Sequence, residues 1–243
     1  SKHRLIFEFN KLKSDIDINL NFINAVTNKK ISNKFIYNNE LIKKSISKNY
    51  KNLINVNNFS DFNKKYNTNI IKINSNTLSF LKGKNLISED MVFDHGVNLL
   101  IEESTVLNIN PNVNLLINGN LKILGTKKNP VIIKQNQDKP WGTIIVTNSK
   151  DSIIIKNLEI SGGSENYING ITSSSQLSIF NSDAIIENSK FYNSLGEDAL
   201  NIKNGKIFLN NNSFLSSHSD AFDGDKVTGI IKNSYFDFNN GDS

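Results

Sequence analysis

The chain contains no cysteine among its 243 residues, and only three prolines, one methionine and one tryptophan. Without cysteine it can form neither disulfides nor zinc–thiolate sites, and it has no cysteine nucleophile. It also lacks any apolar run near the roughly 18 residues that a membrane-spanning helix requires. These absences predict a chain with no membrane-spanning segment, from a reducing compartment or from an export route that does without disulfides.

The net charge of +5 reflects an excess of lysine, since Arg4 is the single arginine. The lysines are scattered and do not form the clustered stripe with interleaved aromatics that is typical of a nucleic-acid-binding surface. We therefore expect a solvated surface and no nucleic-acid partner. Asparagine fills 43 positions. A codon bias toward Asn, Lys and Ile explains that number, so the positions of the asparagines are more informative than their abundance.

Four segments repeat one pattern, in which an apolar run leads to an asparagine and a further apolar residue follows three positions later. They are residues 153–160 (IIIKNLEI), 184–191 (AIIENSKF), 207–214 (IFLNNNSF) and 229–236 (GIIKNSYF). The shared asparagines, spaced by 31, 23 and 22 residues, are Asn157, Asn188, Asn211 and Asn233. The apolar residues that follow them are Ile160, Phe191, Phe214 and Phe236.

A step of 22 or 23 residues, rich in β-type and turn residues, has the length of one coil of three short strands. Helical repeats would be longer and would show a 3.6-residue apolar period, which is absent here. We predict an all-β fold, a right-handed parallel β-helix with coils about 4.8 Å apart. Stacking would place Phe on Phe inside and Asn on Asn at corners, where asparagine tolerates the bent backbone. The 31-residue step indicates an insertion within residues 161–176.

The β-helix is predicted over residues 81–243, after a small β-rich N-terminal unit at residues 1–80. Apolar and polar residues alternate at residues 5–9 (LIFEF) and 15–22 (DIDINLNF), which is typical of half-buried strands. We expect this unit to cap the first coil, because an uncapped coil exposes its edge strands. The sequence ends within a coil at residues 239–243 (NNGDS). The β-helix is therefore expected to be truncated there and to belong to a longer chain with further domains.

From residue 81 onward the sequence resembles right-handed β-helix segments of large bacterial surface or exported proteins. The residues that carry the resemblance are 83–90 (GKNLISED), 115–126 (LLINGNLKILGT), 140–142 (PWG), 198–200 (DAL) and 220–222 (DAF). Some such segments lie beside CotH-like kinase domains, and the wider superfamily is pectate-lyase-like. No kinase motif is visible in this chain. The resemblance covers about two thirds of the chain and implies a carbohydrate ligand and an extracellular, cell-surface or periplasmic location.

Aspartates recur at the step of the repeat. Asp198, Asp220 and Asp242 are 22 residues apart, which predicts that they lie one above another, with Asp223 and Asp225 beside them. Carboxylates about 4.8 Å apart repel by roughly 3–4 kcal/mol at an effective dielectric constant near 20. A cation such as Ca²⁺, protonation of one carboxyl, or backbone N–H groups at a tight turn would relieve this repulsion. Turn capping, a metal site formed by these five aspartates, and acid–base catalysis all remain open.

The candidate catalytic residues are Asp198, Asp220, Asp223 and His218. Lyases of the superfamily that the chain resembles combine calcium with an Arg or Lys base, and Arg4 is far from the aspartates in sequence. His218 imitates the His–Asp arrangement of related hydrolases, but residues 216–220 (SSHSD) lack the hydrolase motif. An exposed loop histidine is the alternative interpretation.

Aromatic residues are the other candidates for contact with a ligand. Trp141 either stacks on a sugar ring or covers an edge of the core. Tyr167, Tyr192 and Tyr235 either line a groove or lie separately on the surface of the coils. An aromatic ring serves both purposes, because it combines a large apolar face with a polar group.

The leading functional hypothesis is a non-enzymatic, exported or cell-surface β-helix module that presents an elongated surface to a polysaccharide. The first alternative is a lyase or glycoside hydrolase that acts on acidic polysaccharide. The second alternative is a segment of a phage fibre or an adhesin. No cofactor other than Ca²⁺ is suggested by the sequence.

Overall fold

The computed structural model describes residues 17–23, 30–36, 53–237 and 240. The chain divides into two compact units, residues 1–51 and residues 52–243. The first unit contains β1 (Asp17–Ile23) and β2 (Lys30–Ile36), which pair antiparallel with Asp17 opposite Ile36 and Ile23 opposite Lys30. The other described residues belong to the second unit.

The second unit is a parallel β-solenoid of about seven turns, which confirms the predicted all-β, parallel β-helix class. Each turn contributes one strand to each of three faces. The first face contains β3 (Leu53–Ile54), β7 (Met91–Phe93), β10 (Leu115–Ile117), β13 (Ile144–Thr147) and β18 (Ser175–Phe180). The second face contains β4 (Ile70–Lys72), β5 (Thr77–Phe80), β8 (Asn98–Glu102), β11 (Leu121–Leu124), β14 (Ile153–Lys156) and β19 (Ala184–Glu187). The third face contains β6 (Gly83–Ile87), β9 (Thr105–Ile109), β12 (Val131–Gln135), β15 (Leu158–Ser161), β20 (Lys190–Tyr192), β22 (Ser213–Leu215) and β24 (Tyr235–Asp237).

Two long strands join the first face to the second. They are β21 (Asp198–Asn210) and β23 (Asp220–Lys232), each of 13 residues, and they pair in parallel with each other. Their N-terminal halves extend the first face, where β21 pairs with β18. Their C-terminal halves extend the second face, where β21 pairs with β19. The first and second faces therefore belong to one sheet, in which β4 pairs antiparallel with β5 and the other pairs are parallel, and the third face is a separate parallel sheet.

The interior is a set of side-chain stacks, one above another in successive coils. The predicted phenylalanine stack is confirmed, because Phe214 lies 4.9 Å from both Phe191 and Phe236 between ring centroids, with interplanar angles of 12° and 7°. Phe191 and Phe214 are completely buried, whereas Phe236 is partly buried. Below them the same position is filled by Leu107, Ile133 and Ile160.

The repeated asparagines lie at a corner, as predicted, and the structure adds that their backbone conformation is left-handed. Their φ angles are between 50° and 56° for Asn157, Asn188, Asn211 and Asn233. Asn211 Nδ2 donates to Asn188 Oδ1 at 2.7 Å, so one step of the expected amide ladder forms. Asn233 Nδ2 instead donates to Asn210 Oδ1 at 3.0 Å. Asparagine suits these corners because its short polar side chain tolerates positive φ.

Residues 53–80 contribute strands to the solenoid. β3 pairs in parallel with β7, and β5 pairs in parallel with β8. Between them, α1 (Phe59–Tyr66) buries Phe62 and ends at Asn67, whose φ is 52°. The predicted division of the chain into an N-terminal unit at residues 1–80 and a β-helix at residues 81–243 stays a prediction.

The insertion predicted within residues 161–176 forms an antiparallel hairpin on the outside of the first face. Its strands are β16 (Asn166–Ile168) and β17 (Ile171–Ser173). Ile168 packs with Leu116 and Ile145, whose side chains belong to a second, smaller apolar cluster separate from the interior. The hairpin therefore covers outward-facing apolar residues that a coil without the insertion would leave in water.

Candidate functional site

One pair of predicted site residues comes into register on neighbouring coils, and a third predicted residue lies opposite an asparagine. In the pairing of β21 with β23, Asp198 lies opposite Asp220 and Asn201 lies opposite Asp223. The 22-residue step in the sequence therefore aligned the coils correctly. Asp223, however, has an amide as its neighbour in register. The column is thus a mixture of carboxylates and hydrogen-bond donors, and the repulsion between its members is lower than in a pure carboxylate stack.

Asn201 connects two of the carboxylates. Its Nδ2 donates to Asp198 Oδ2 at 3.1 Å and to Asp223 Oδ2 at 2.6 Å. Ser174 Oγ, from the segment that follows the hairpin, donates to the same Asp198 oxygen at 2.5 Å. Asn201 is completely buried and Asp198 is 2% exposed. The predicted site residue Asp198 is thus the centre of a buried hydrogen-bond network, in which each donor offsets part of the cost of burial.

Burial raises the pKa of Asp198 above its usual value, and the hydrogen bonds from Ser174 and Asn201 oppose that rise. The negative charges of Asp223 and Glu197 raise this pKa further. Burial dominates because it takes the carboxylate out of water, which destabilises the ionised form. Asp198 therefore takes up a proton more readily than an exposed aspartate.

Asp225 is held apart from this network by a lysine. Lys203 lies opposite Asp225 in register, and Lys203 Nζ is 3.0 Å from Asp225 Oδ2. The pKa of the Lys203 ammonium is raised, chiefly by its hydrogen bond to Asp225. Both side chains are largely accessible to water, so the pair contributes little to stability. It does supply Asp225 with a counter-charge from the protein itself.

The remaining predicted site residues are spread over several environments. Asp220 is half-buried and its Oδ1 accepts a hydrogen bond from Ser219 Oγ at 3.3 Å. His218 is exposed and its backbone N–H donates to the Ser194 carbonyl at 2.9 Å, as expected of a loop histidine. Asp242 lies outside the described residues.

A metal site at the aspartates stays a prediction. No group of three or more His, Cys, Asp or Glu side chains that could hold a metal ion occurs within the described part of the chain. The repulsion that motivated a cation is relieved in part by Asn201 and Lys203. Asn201 Oδ1 is buried and has no hydrogen-bond partner among the described residues, so one acceptor of the network is left unsatisfied.

Trp141 lies in the core. It is completely buried, and its Nε1–H donates to the Ser161 carbonyl at 2.8 Å. Of its two interpretations, the structure shows the one in which the ring covers a core edge. A completely buried ring has no face free for a sugar.

Two of the three candidate tyrosines share the outer surface of the third face. Tyr192 lies in β20 and Tyr235 lies in β24, two coils further along the solenoid. Tyr235 is 58% exposed, and its hydroxyl donates to Asp237 Oδ2 at 2.5 Å. The ammonium of Lys190 lies 4.6 Å from the centroid of the Tyr192 ring. Tyr167 is 53% exposed but lies on the hairpin, so it belongs to a different surface.

A polar cleft at the corner between the first and second faces was missed by sequence reasoning. Its volume is about 510 Å³, and it is lined by Ser149, Lys150, Asp151, Ser152, Asn181, Ser182, Asp183 and Asn204. The corner between β13 and β14 spans residues 148–152, whereas the next corner, between β18 and β19, spans only residues 181–183. Four residues of the longer corner, 149–152, line the cleft. That difference in corner length is the sequence signal for the cleft. We call this feature the corner cleft.

The floor of the corner cleft depends on close approach between coils. A Cβ atom on Gly205 would lie 2.1 Å from the Ser182 carbonyl oxygen, so only glycine fits at that position. Asn204 Nδ2 donates to Asn181 Oδ1 at 2.9 Å, and Lys206 N–H donates to Asp183 Oδ1 at 2.8 Å. These bonds orient the amide and carboxylate groups of successive corners, which makes the cleft a fixed arrangement of polar atoms.

No helix within the described residues is long and apolar enough to cross a membrane. Comparison with known proteins finds that no family model, no curated protein and no solved structure matches the chain.

Proposed function

We propose that the chain is a non-enzymatic, exported or cell-surface β-solenoid module whose third face binds polysaccharide. The observation that carries the proposal is the tyrosine pair on the outer surface of the third face, in which Tyr235 is exposed and Tyr192 is half-buried. Charged and hydroxyl-bearing side chains flank the pair. Coils stack about 4.8 Å apart, so the two rings are separated along the solenoid by about 10 Å. A regular face of this kind suits a polymer with a regular repeat.

The chemistry of the third face supports this proposal. The axial C–H groups of sugar rings form apolar patches that pack on aromatic rings, while their hydroxyls need hydrogen-bond partners. Lys190, Glu159 and Ser213 lie in the same outward column as Tyr235, and Asp237 lies two residues beyond that tyrosine. Tyrosine also loses little conformational entropy on binding, because its side chain has few rotatable bonds.

The aspartate network favours a structural role over a catalytic one. Asp198 accepts hydrogen bonds from Ser174 and Asn201, and its carboxyl is almost wholly buried. A general acid or base must be within hydrogen-bond reach of a bound substrate, and Asp198 is enclosed by its own network. The His218 side chain is exposed, as a loop histidine would be.

Polysaccharide retention by variants tests the proposal. Wild type, Tyr235→Ala and Tyr167→Ala are run through gels that contain a panel of neutral, acidic and amino polysaccharides. Tyr167 is the matched control, since its exposure of 53% is close to the 58% of Tyr235. We expect one polysaccharide to retard the wild type, with affinity reduced about fivefold or more in Tyr235→Ala and unchanged in Tyr167→Ala. Equal losses in both variants, or retention by no member of the panel, would contradict the proposal.

A further inference from the structure

Two carboxylates in the corner cleft lack a counter-charge from the protein. Asp151 and Asp183 both line the cleft. The ion pairs within the described residues join Lys82 to Glu103, Lys156 to Glu187, and Lys203 to Asp225, and none of them involves these two aspartates. The only ammonium among the lining groups is that of Lys150. The cleft therefore carries net negative charge.

Hydrogen bonds hold some polar groups of the cleft in place, and other polar atoms of the cleft have no hydrogen-bond partner among the residues that the structure describes. Asp183 Oδ1 accepts from the backbone of Lys206 at 2.8 Å. The bond from Asn204 to Asn181 uses one amide hydrogen and one amide oxygen. The second Asp183 oxygen, Asn204 Oδ1 and the Ser152 hydroxyl have no partner among the hydrogen bonds of the described residues. An ordered cleft with open acceptors and net negative charge selects a ligand that donates hydrogen bonds and carries positive charge.

The size and lining of the cleft limit the ligand further. Its volume of about 510 Å³ lies within the range of about 300–1,000 Å³ that is usual for small-molecule sites. All eight lining residues are polar or charged, which excludes a largely apolar ligand and suits one with several hydroxyl groups. The two carboxylates make an acidic sugar unfavourable, because like charges repel.

We propose that the corner cleft is a second binding site, specific for an amino sugar with a free ammonium group. The ammonium lies against Asp151 and Asp183, and the sugar hydroxyls donate to Asn204 and Ser152. The sugar part of this assignment rests on the proposed polysaccharide-binding function. The charge preference rests on the cleft alone. The positive charge of Lys150 repels the ammonium of the ligand and weakens binding, whereas the negative charges of the two aspartates strengthen it.

Binding titrations followed by nuclear magnetic resonance, at about pH 6 and low salt, test this assignment. That pH is below the range of about 7.7–8.0 for α-amino groups, so the amine of the probe is protonated. The probes are glucosamine, N-acetylglucosamine and glucuronic acid. We expect glucosamine to bind most tightly and to shift resonances of residues 149–152 and 181–183. Each of Asp151→Asn and Asp183→Asn should weaken its binding about two- to fivefold, and Lys150→Gln should strengthen it by a similar factor.

The control variant separates this proposal from the one for the third face. Tyr235→Ala should leave glucosamine binding unchanged, and Asp183→Asn should leave the third face intact in the gel-retardation assay. Asparagine at position 183 keeps an oxygen that accepts from Lys206, so a folded variant is expected. Equal binding of glucosamine and N-acetylglucosamine, tighter binding of glucuronic acid, or no effect of either aspartate variant would overturn the amino-sugar assignment. Binding of glucosamine at the corner cleft together with retention of the wild type by no polysaccharide of the panel would overturn only the function proposed for the third face.

Discussion

Replacement of Phe214 by alanine should reduce the free energy of unfolding of the solenoid more than replacement of any other phenylalanine of the stack by alanine. The ring is completely buried and is stacked at 4.9 Å on a neighbour on each side. A buried Phe→Ala change costs about 3–5 kcal/mol. The loss of two aromatic pairs, each worth about 0.5–1.5 kcal/mol, places Phe214→Ala in the upper part of that range. The coils on both sides are fixed by strand pairing, so they cannot collapse into the cavity.

Phe236 provides the matched control for this experiment. It is only partly buried and is stacked on Phe214, so Phe236→Ala should cost about 1–2 kcal/mol, in line with partial burial of an apolar side chain. Urea unfolding followed by far-ultraviolet circular dichroism gives both values, with m-values compared to confirm that the same surface unfolds. A loss below about 2 kcal/mol in Phe214→Ala, or equal losses in the two variants, would refute the reasoning.

Three further outcomes follow from the aspartate network and the corner cleft. Because burial raises the folded-state pKa of Asp198 above 3.8, ionisation of this group lowers stability as pH rises through and above that value. The stability of Asp198→Asn relative to wild type should therefore increase as the pH rises above 3.8, and urea midpoints with no such trend would contradict this. Gly205→Ala should reduce the free energy of unfolding by about 1–3 kcal/mol, because the new Cβ would lie 2.1 Å from the Ser182 carbonyl oxygen. An unchanged melting temperature would contradict this, since it would show that the corner can relax. Calcium and a chelator should give the same melting temperature, because Asn201 already bridges Asp198 and Asp223, and a higher midpoint in calcium would favour the metal site.

The fold could be predicted from the sequence because the repeat carries two independent signals. Phe191, Phe214 and Phe236 report which position faces the interior. Asn188 and Asn211 report where the backbone turns, since their positive φ angles suit asparagine. Both signals are local to each coil and recur at the same step, so their alignment determines the register of the strands.

The site could be predicted only in part, because its partners are distant in sequence. The spacing of Asp198 and Asp220 gave their register, but Ser174 reaches Asp198 only because the insertion returns to the first face beside β21. The buried position of Trp141 depends on its bond to Ser161, which belongs to another coil. The corner cleft arises from a difference between two corners that lie in successive coils. Each of these contacts joins residues of different coils, so none of them can be predicted from the sequence of one repeat.

The most direct test of the proposed function measures retention and chain length in the same samples. Each polysaccharide that retards the wild type is incubated with it, with Tyr235→Ala and with Asp220→Asn, and its length distribution is then measured by size-exclusion chromatography. A non-enzymatic binding face predicts that Tyr235→Ala loses retention, that Asp220→Asn keeps it, and that every polysaccharide keeps its original length. Shortening of a polysaccharide by the wild type, abolished in Asp220→Asn, would contradict the account and identify the protein as a polysaccharide-cleaving enzyme.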